Sequence, residues 1–229
     1  MTLVSFTVPC GAVHNASPSG SAVFEALADA MASRDGLTHL HAERVQHYAM
    51  VLARRVQITD PGVVRALETA ALLHDVGKLG IPDRLLHKPG PLTPDEYEQV
   101  KLHAAIGSNI LAGVPTAGLV AQIVRHHHEN WDGSGYPDGL RGEAIPLASR
   151  ILAIVDCYDA LTSDRPYRRA VAHNSAIAMI YGRRGTMYDP AITDAFLRIV
   201  WRFQPMASAL RAVYRPAERV LRRVEASGR

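Results

Sequence analysis

Residues 70–82 read AALLHDVGKLGIP, and their reading decides how the rest of the chain is taken. Ala70, Ala71, Leu72 and Leu73 continue an apolar helical pattern, and His74 and Asp75 follow it at once. An imidazole and a carboxylate entering an apolar environment are costly unless they are paired or bind a metal. A lone His-Asp pair is weak evidence, because core packing produces such pairs too, so the weight falls on what surrounds it. Upstream, Asp60 suits a helix cap and Pro61 a first helical turn, which predicts a helix running from there into the pair. Val45, Ala49, Leu52 and Val56 share one face of a helix predicted over 38–56. Val23, Leu27 and Met31 mark another that begins at Ser21.

Downstream of the pair, the segment through Leu92 is rich in turn residues. Thr93, with Glu96 at capping-box spacing, then opens a helix predicted to carry His103. Further helices are predicted over 117–128, 145–163, 174–184 and from Asp189-Pro190 to Phe203. No stretch shows convincing strand alternation and no repeat is evident, so the expected fold class is all-α. The expected layout is an N-terminal extension over 1–20, one domain over 21–203, and a basic helix or tail over 204–229.

Composition narrows the function classes. With 48% hydrophobic and 21% charged residues, the 229-residue chain has ample material for a core. Cys10 and Cys157 are far apart and form no CxxC pair, which suits a reducing compartment and no disulfide scaffold. No apolar run approaches a membrane span, and the N-terminus lacks the pattern of a signal peptide, so a cytoplasmic location is expected. Too few residues precede Ser21 for a receiver or sensor domain, and regulation is expected from a partner, from expression, or not at all. Net charge is +3, yet residues 200–229 hold seven arginines against two glutamates, leaving the remainder slightly acidic. No nucleic-acid motif accompanies this basic end, so it reads as a solvated helix face and nucleic acid is not an expected partner.

The eleven histidines are the more informative excess. His41 opens the second helix, His103 lies on another, and His126, His127 and His128 run consecutively into Glu129. Asp156 interrupts the apolar run ILAIV before Cys157 and Tyr158. Imidazoles and carboxylates from five separated segments can assemble a site for Mn, Fe, Zn or Ni. A carboxylate shared between two cations is what a two-metal phosphoesterase needs. Three consecutive histidines cannot all aim at one point, so His126 is as well suited to a structural role as to ligation.

These residues fall into motifs. His74, Asp75, Gly77 and Lys78 in HDVGKLGIP, His127-His128-Glu129, the loop DGSGYP over 132–137, and RILAIVDCYDALTSDRPYR over 150–168 occur together and in order. The chain resembles the HD-GYP family over about residues 26–196. That resemblance implies an HD-domain helical bundle with additional C-terminal helices, and metal ligation by His41, His74, Asp75, His103, His127, His128 and Asp156, with Asp75 bridging the ions. It implies that Lys78, one helical turn beyond His74, meets the scissile phosphate, that Asp159 orients Lys78, and that Arg165 and Arg168 bind phosphate oxygens. The implied reaction is metal-dependent hydrolysis of cyclic di-GMP to linear pGpG, with GMP as the product of a second cut. Recognition of GGDEF-domain proteins through Tyr136-Pro137 is a further implied role, beside simple bracing of the site by that loop.

One departure bears on the metals. Members of the family with three ions place a glutamate four residues before the first histidine ligand, where this chain has Leu37, and His39 falls on another helical face. Two divalent ions are therefore expected, Fe or Mn first and Zn or Ni as alternatives. Cys157 is expected to be apolar filler. Two competing readings stay open: a binding or docking module with little turnover, and a hydrolase of another cyclic dinucleotide.

Overall fold

The computed structural model describes residues 20–34, 36–164 and 169–203, with residues 36–39 as backbone only. The extension over 1–19, the basic tail over 204–229, Arg165, Arg168 and the side chains of Leu37 and His39 lie outside the described residues. The helices are α1 (Gly20–Arg34), α2 (Gly36–Arg55), α3 (Pro61–Leu73), α4 (Asp83–Leu86), α5 (Pro94–Lys101), α6 (His103–Ala112), α7 (Gly118–Arg125), α8 (Leu147–Thr162), α9 (His173–Tyr181) and α10 (Pro190–Leu197). Short 3₁₀ turns occupy Val76–Gly80, Gly142–Ala144 and Val200–Phe203. No strand forms among the described residues beyond one isolated bridge between Arg184 and Tyr188. The all-α expectation holds.

Local chemistry explains where several helices start. The Asp60 carboxylate accepts from Gly62 N at 2.7 Å and Val63 N at 3.2 Å, satisfying donors that the first turn of α3 leaves unpaired. Thr93 and Glu96 form the reciprocal capping box on α5, and Asp189 accepts from Ala191 N and Ile192 N at the start of α10. Val45, Ala49 and Leu52 of α2 are fully buried against α3 and α8, which contribute Leu67, Ala70, Ala71, Ile151, Leu152 and Val155. Each of the valine, leucine and isoleucine side chains among them contributes roughly 1.5–3 kcal/mol on burial. Phe196 and Phe203 close the C-terminal end against Tyr48 and Tyr158, with Tyr48 and Phe203 stacked at 4.3 Å. Cys157 is half-buried and packs on this core.

Several helices end earlier than expected, α7 at Arg125 and α10 at Leu197 among them, and two further differences set up the site. α3 ends at Leu73 and does not run through the His-Asp pair; Asp75 sits at φ −92° and ψ 5°, and Lys78 lies on the 3₁₀ turn. The turn packs directly on α6. A Cβ at Gly77 would lie 1.8 Å from the backbone oxygen of His103, so only glycine permits this approach. The helix opened by Thr93 also stops before His103, because Leu102 N bonds Gln99 O at 3.3 Å in the tighter 3₁₀ pattern. That interruption leaves Leu102 exposed and buries His103.

Candidate metal centre

Two groups of three ligand-type side chains face one another inside the bundle. His41 of α2, His74 at the end of α3 and Asp156 of α8 bring their ligand atoms within 4.8 Å of each other, and so do His103 of α6 with His127 and His128 beyond α7. Asp75 lies between the groups. Its Oδ2 is 3.6 Å from His74 Nε2, and its Oδ1 is 3.7 Å from His103 Nε2. All seven ligand candidates read from the sequence thus occupy one locus. His126 does not: its Nε2 lies 2.9 Å from Asp138, which also holds Arg125 through two bonds of 2.7 Å.

The imidazoles are oriented by bonds on their other nitrogen. Nδ1 of His74, His103 and His127 approaches the backbone oxygens of Ala71, Val100 and Val124 at 2.9, 2.8 and 2.6 Å. A carbonyl only accepts, so each Nδ1 carries the proton and each Nε2 keeps its lone pair. Nε2 of His74 is buried with no hydrogen-bond partner, and Nε2 of His103 and His127 face each other at 3.4 Å, acceptor to acceptor. An apolar interior does not tolerate such an arrangement unaided, whereas a cation among these lone pairs satisfies all of them. The donor set therefore fits divalent transition metals.

Electrostatics point the same way. Burial and the adjacent His103 push the His128 pKa down to about 3. Burial also lowers His103 and His127, so these three rings are neutral at neutral pH, the form in which an imidazole can ligate a metal. Burial works to raise the Asp75 pKa, but the positive charge of Lys78 and the surrounding imidazoles hold it well below the ordinary carboxylate range. For His41, burial opposes protonation, yet hydrogen bonds to Asp156 and Asp159 outweigh it and raise the pKa to about 9. His41 must release that proton to serve as a ligand.

Asp159 does not orient Lys78. One turn after Asp156 on α8, it faces α2, where its Oδ2 lies 2.7 Å from His41 Nδ1 and Arg44 grips it through Nε at 2.5 Å and Nη2 at 2.8 Å. Lys78 is held instead by Asp75, with Nζ 2.6 Å from Oδ2. Arg44 was missed in the sequence, although its position three residues after His41 places both on one helical face. Glu129 was noted only as part of a motif. It is buried and its two oxygens accept from the backbone N–H groups of Asp138 and Leu140 at 2.8 and 3.1 Å, clasping the glycine-rich loop. Together with the Asp138 ion pairs, this makes His126, Glu129 and Asp138 a structural clasp. The loop in turn lays Tyr136 on His128, ring centroids 5.0 Å apart.

The sequence and the fold resemble those of known proteins. The HD domain family model matches residues 25–192, and the chain belongs to the HD-domain family. A probable cyclic di-GMP phosphodiesterase of Vibrio cholerae is 45% identical over 191 residues, covering 77% of this chain and 43% of the relative. The cyclic di-GMP phosphodiesterase response regulator RpfG of Xanthomonas campestris is 47% identical over 174 residues, covering 75% and 46%. A 3'3'-cGAMP-specific phosphodiesterase of V. cholerae is 41% identical over 150 residues, covering 66% and 32%. The chain thus spans less than half the length of these curated relatives. An HDG"Y"P protein of Bdellovibrio bacteriovorus shares the fold with a TM-score of 0.58 at 23% identity, over 71% of this chain and 52% of that one. Within the HD-domain family, the chain is of the HD-GYP type.

Proposed function

We propose that the protein is a metal-dependent phosphodiesterase that hydrolyses cyclic di-GMP. The observation that carries this reading is Asp75, with one oxygen turned to each of two imidazole groups. The names of the relatives support the substrate. Two divalent ions fit the two groups, Fe or Mn first and Zn or Ni as alternatives. One would be held by His41, His74 and Asp156, the other by His103, His127 and His128, with Asp75 shared. Bound metals of this kind lower the pKa of water and stabilise charge on a phosphoryl group.

The chain's own residues do the rest. Lys78 spends one N–H on Asp75, and its ammonium, about a third exposed, has further donors for a phosphate oxygen. Hydrolysis breaks one P–O bond, places the water oxygen on phosphorus and a proton on the leaving ribose oxygen, and opens the ring to pGpG. Arg165 and Arg168 are assigned to phosphate contacts by their motif, since bidentate guanidinium suits phosphate oxygens. The Tyr136 ring is engaged with His128 and His103, which favours a bracing role over recognition of GGDEF-domain partners.

The test is turnover of cyclic di-GMP by protein purified without oxygen, with metal measured on the same sample. Two ions per chain and release of pGpG are expected; a fully metallated protein that leaves cyclic di-GMP intact refutes the proposal. Lys78→Ala should retain both metals and lose about 10²–10³ in kcat, the usual cost of one preorganised electrostatic group. Metal loss in that variant would make Lys78 structural. Arg44→Ala frees Asp159 and so loosens His41. Metal affinity should fall about 10–100-fold, read by chelator competition, as is usual for outer partners of ligands.

A further inference from the structure

A cavity of about 640 Å³ opens beside the metal-ligand cluster, within the range of small-molecule sites. Asp75 and Lys78 belong to the cluster and also line this cavity, so the two spaces are continuous. Its far walls are apolar, with Leu79, Leu86, Leu92 and Val100 among them. No described residue fills it, and an open cleft walled largely by leucines suits an apolar group. A flat, weakly hydrated group suits these walls.

Away from the cluster, the polar lining comprises Arg34, His87 and Lys88. Lys88 is not a free-swinging surface side chain. Its Nζ is 2.5 Å from Glu96 Oε2, and that same oxygen accepts from Thr93 N at 2.7 Å in the capping box of α5. The helix cap therefore fixes where the ammonium stands. A fixed lysine beside apolar walls suits the edge of a purine, and guanine in particular offers O6 and N7 as acceptors to such a donor.

We infer that this cavity is the subsite for one purine nucleoside of the substrate, its base between Leu86 and Leu92 and its acceptor edge toward Lys88. The inference rests on the phosphodiesterase reading. A diester whose phosphorus stands before Lys78 carries a nucleoside on each side, and the cavity is continuous with that position. The other nucleoside lies outside it.

Leu86→Trp and Leu92→Trp fill the slot from two sides, and Lys88→Ala removes the edge donor. Each is measured on cyclic di-GMP and on bis(p-nitrophenyl) phosphate, a diester with no nucleoside, and by calorimetric binding of cyclic di-GMP to metal-free protein. In both tryptophan variants the ratio of kcat/KM for cyclic di-GMP to that for the small diester should fall roughly tenfold or more, with a matching loss of binding. Lys88→Ala should lower the preference for cyclic di-GMP over cyclic di-AMP. Tryptophan variants that melt like the parent and keep both the ratio and the binding overturn the subsite, as does an equal loss on both diesters. The phosphodiesterase reading fails separately, if the metallated parent cleaves neither diester.

Discussion

Asp75→Ala is expected to empty both imidazole groups of metal and to abolish phosphodiester hydrolysis. Removing a single preorganised electrostatic group costs about 10²–10³ in rate, and Asp75 serves both groups at once, so the loss should reach or pass the upper figure. The buried carboxylate also compensates Lys78, whose Nζ lies 2.6 Å away, and stands among three imidazoles, His41, His74 and His103, that act on it electrostatically. Without it, the interior holds cationic and ligand groups with no anion at their centre. Metal analysis of the purified variant, together with an assay of cyclic di-GMP turnover, is the measurement. A variant that retained two ions and parental turnover would show that Asp75 does not bridge them.

Gly77→Ala should have the largest effect on stability. The new Cβ would stand 1.8 Å from His103 O and 2.5 Å from Gly107 N, both backbone atoms that cannot swing aside. Overpacking of a tight core site costs about 1–3 kcal/mol and occasionally more, and this one lies at the upper end or beyond. A loss of about 3 kcal/mol would lower Tm by roughly 6–12 °C in a domain of this size. The strain falls on α6 at the residue that supplies His103, so metal affinity should fall with stability. Thermal melts with and without added Mn²⁺ would separate the two. A Tm within a degree or two of the parent would mean that the 3₁₀ turn and α6 are not in fixed contact.

The helix starts were legible because their chemistry is local. Asp60, the pair Thr93 and Glu96, and Asp189 each satisfy their own first turn, and no distant residue enters the argument. The break at Leu102 was not legible. Apolar spacing continues through it, and the reason for stopping there is the seat of Gly77 against α6, a contact between residues far apart in sequence. The ligand set could be assembled by residue type and motif. The partner of Asp159 could not, since its spacing from Asp156 gives the face of α8 and not which helix lies opposite. Arg44 carried a readable signal, its i,i+3 relation to His41, but a charged residue on an amphipathic helix is ordinarily taken as solvated.

The three Nδ1 bonds have a consequence for how far mutation can reach the site. Ala71, Val100 and Val124 each stand within the last three residues of α3, α5 and α7, so the oxygens that orient His74, His103 and His127 are end carbonyls of three converging helices. Such carbonyls have no partner within their own helix and carry the negative end of its dipole, which favours a cation nearby. Because this support is main chain, no side-chain substitution deletes it. His41 alone of these four rings leans on a side chain, Asp159, backed by Arg44. Drift in sequence can therefore retune one edge of the centre, at His41, while the backbone keeps the other three rings in register.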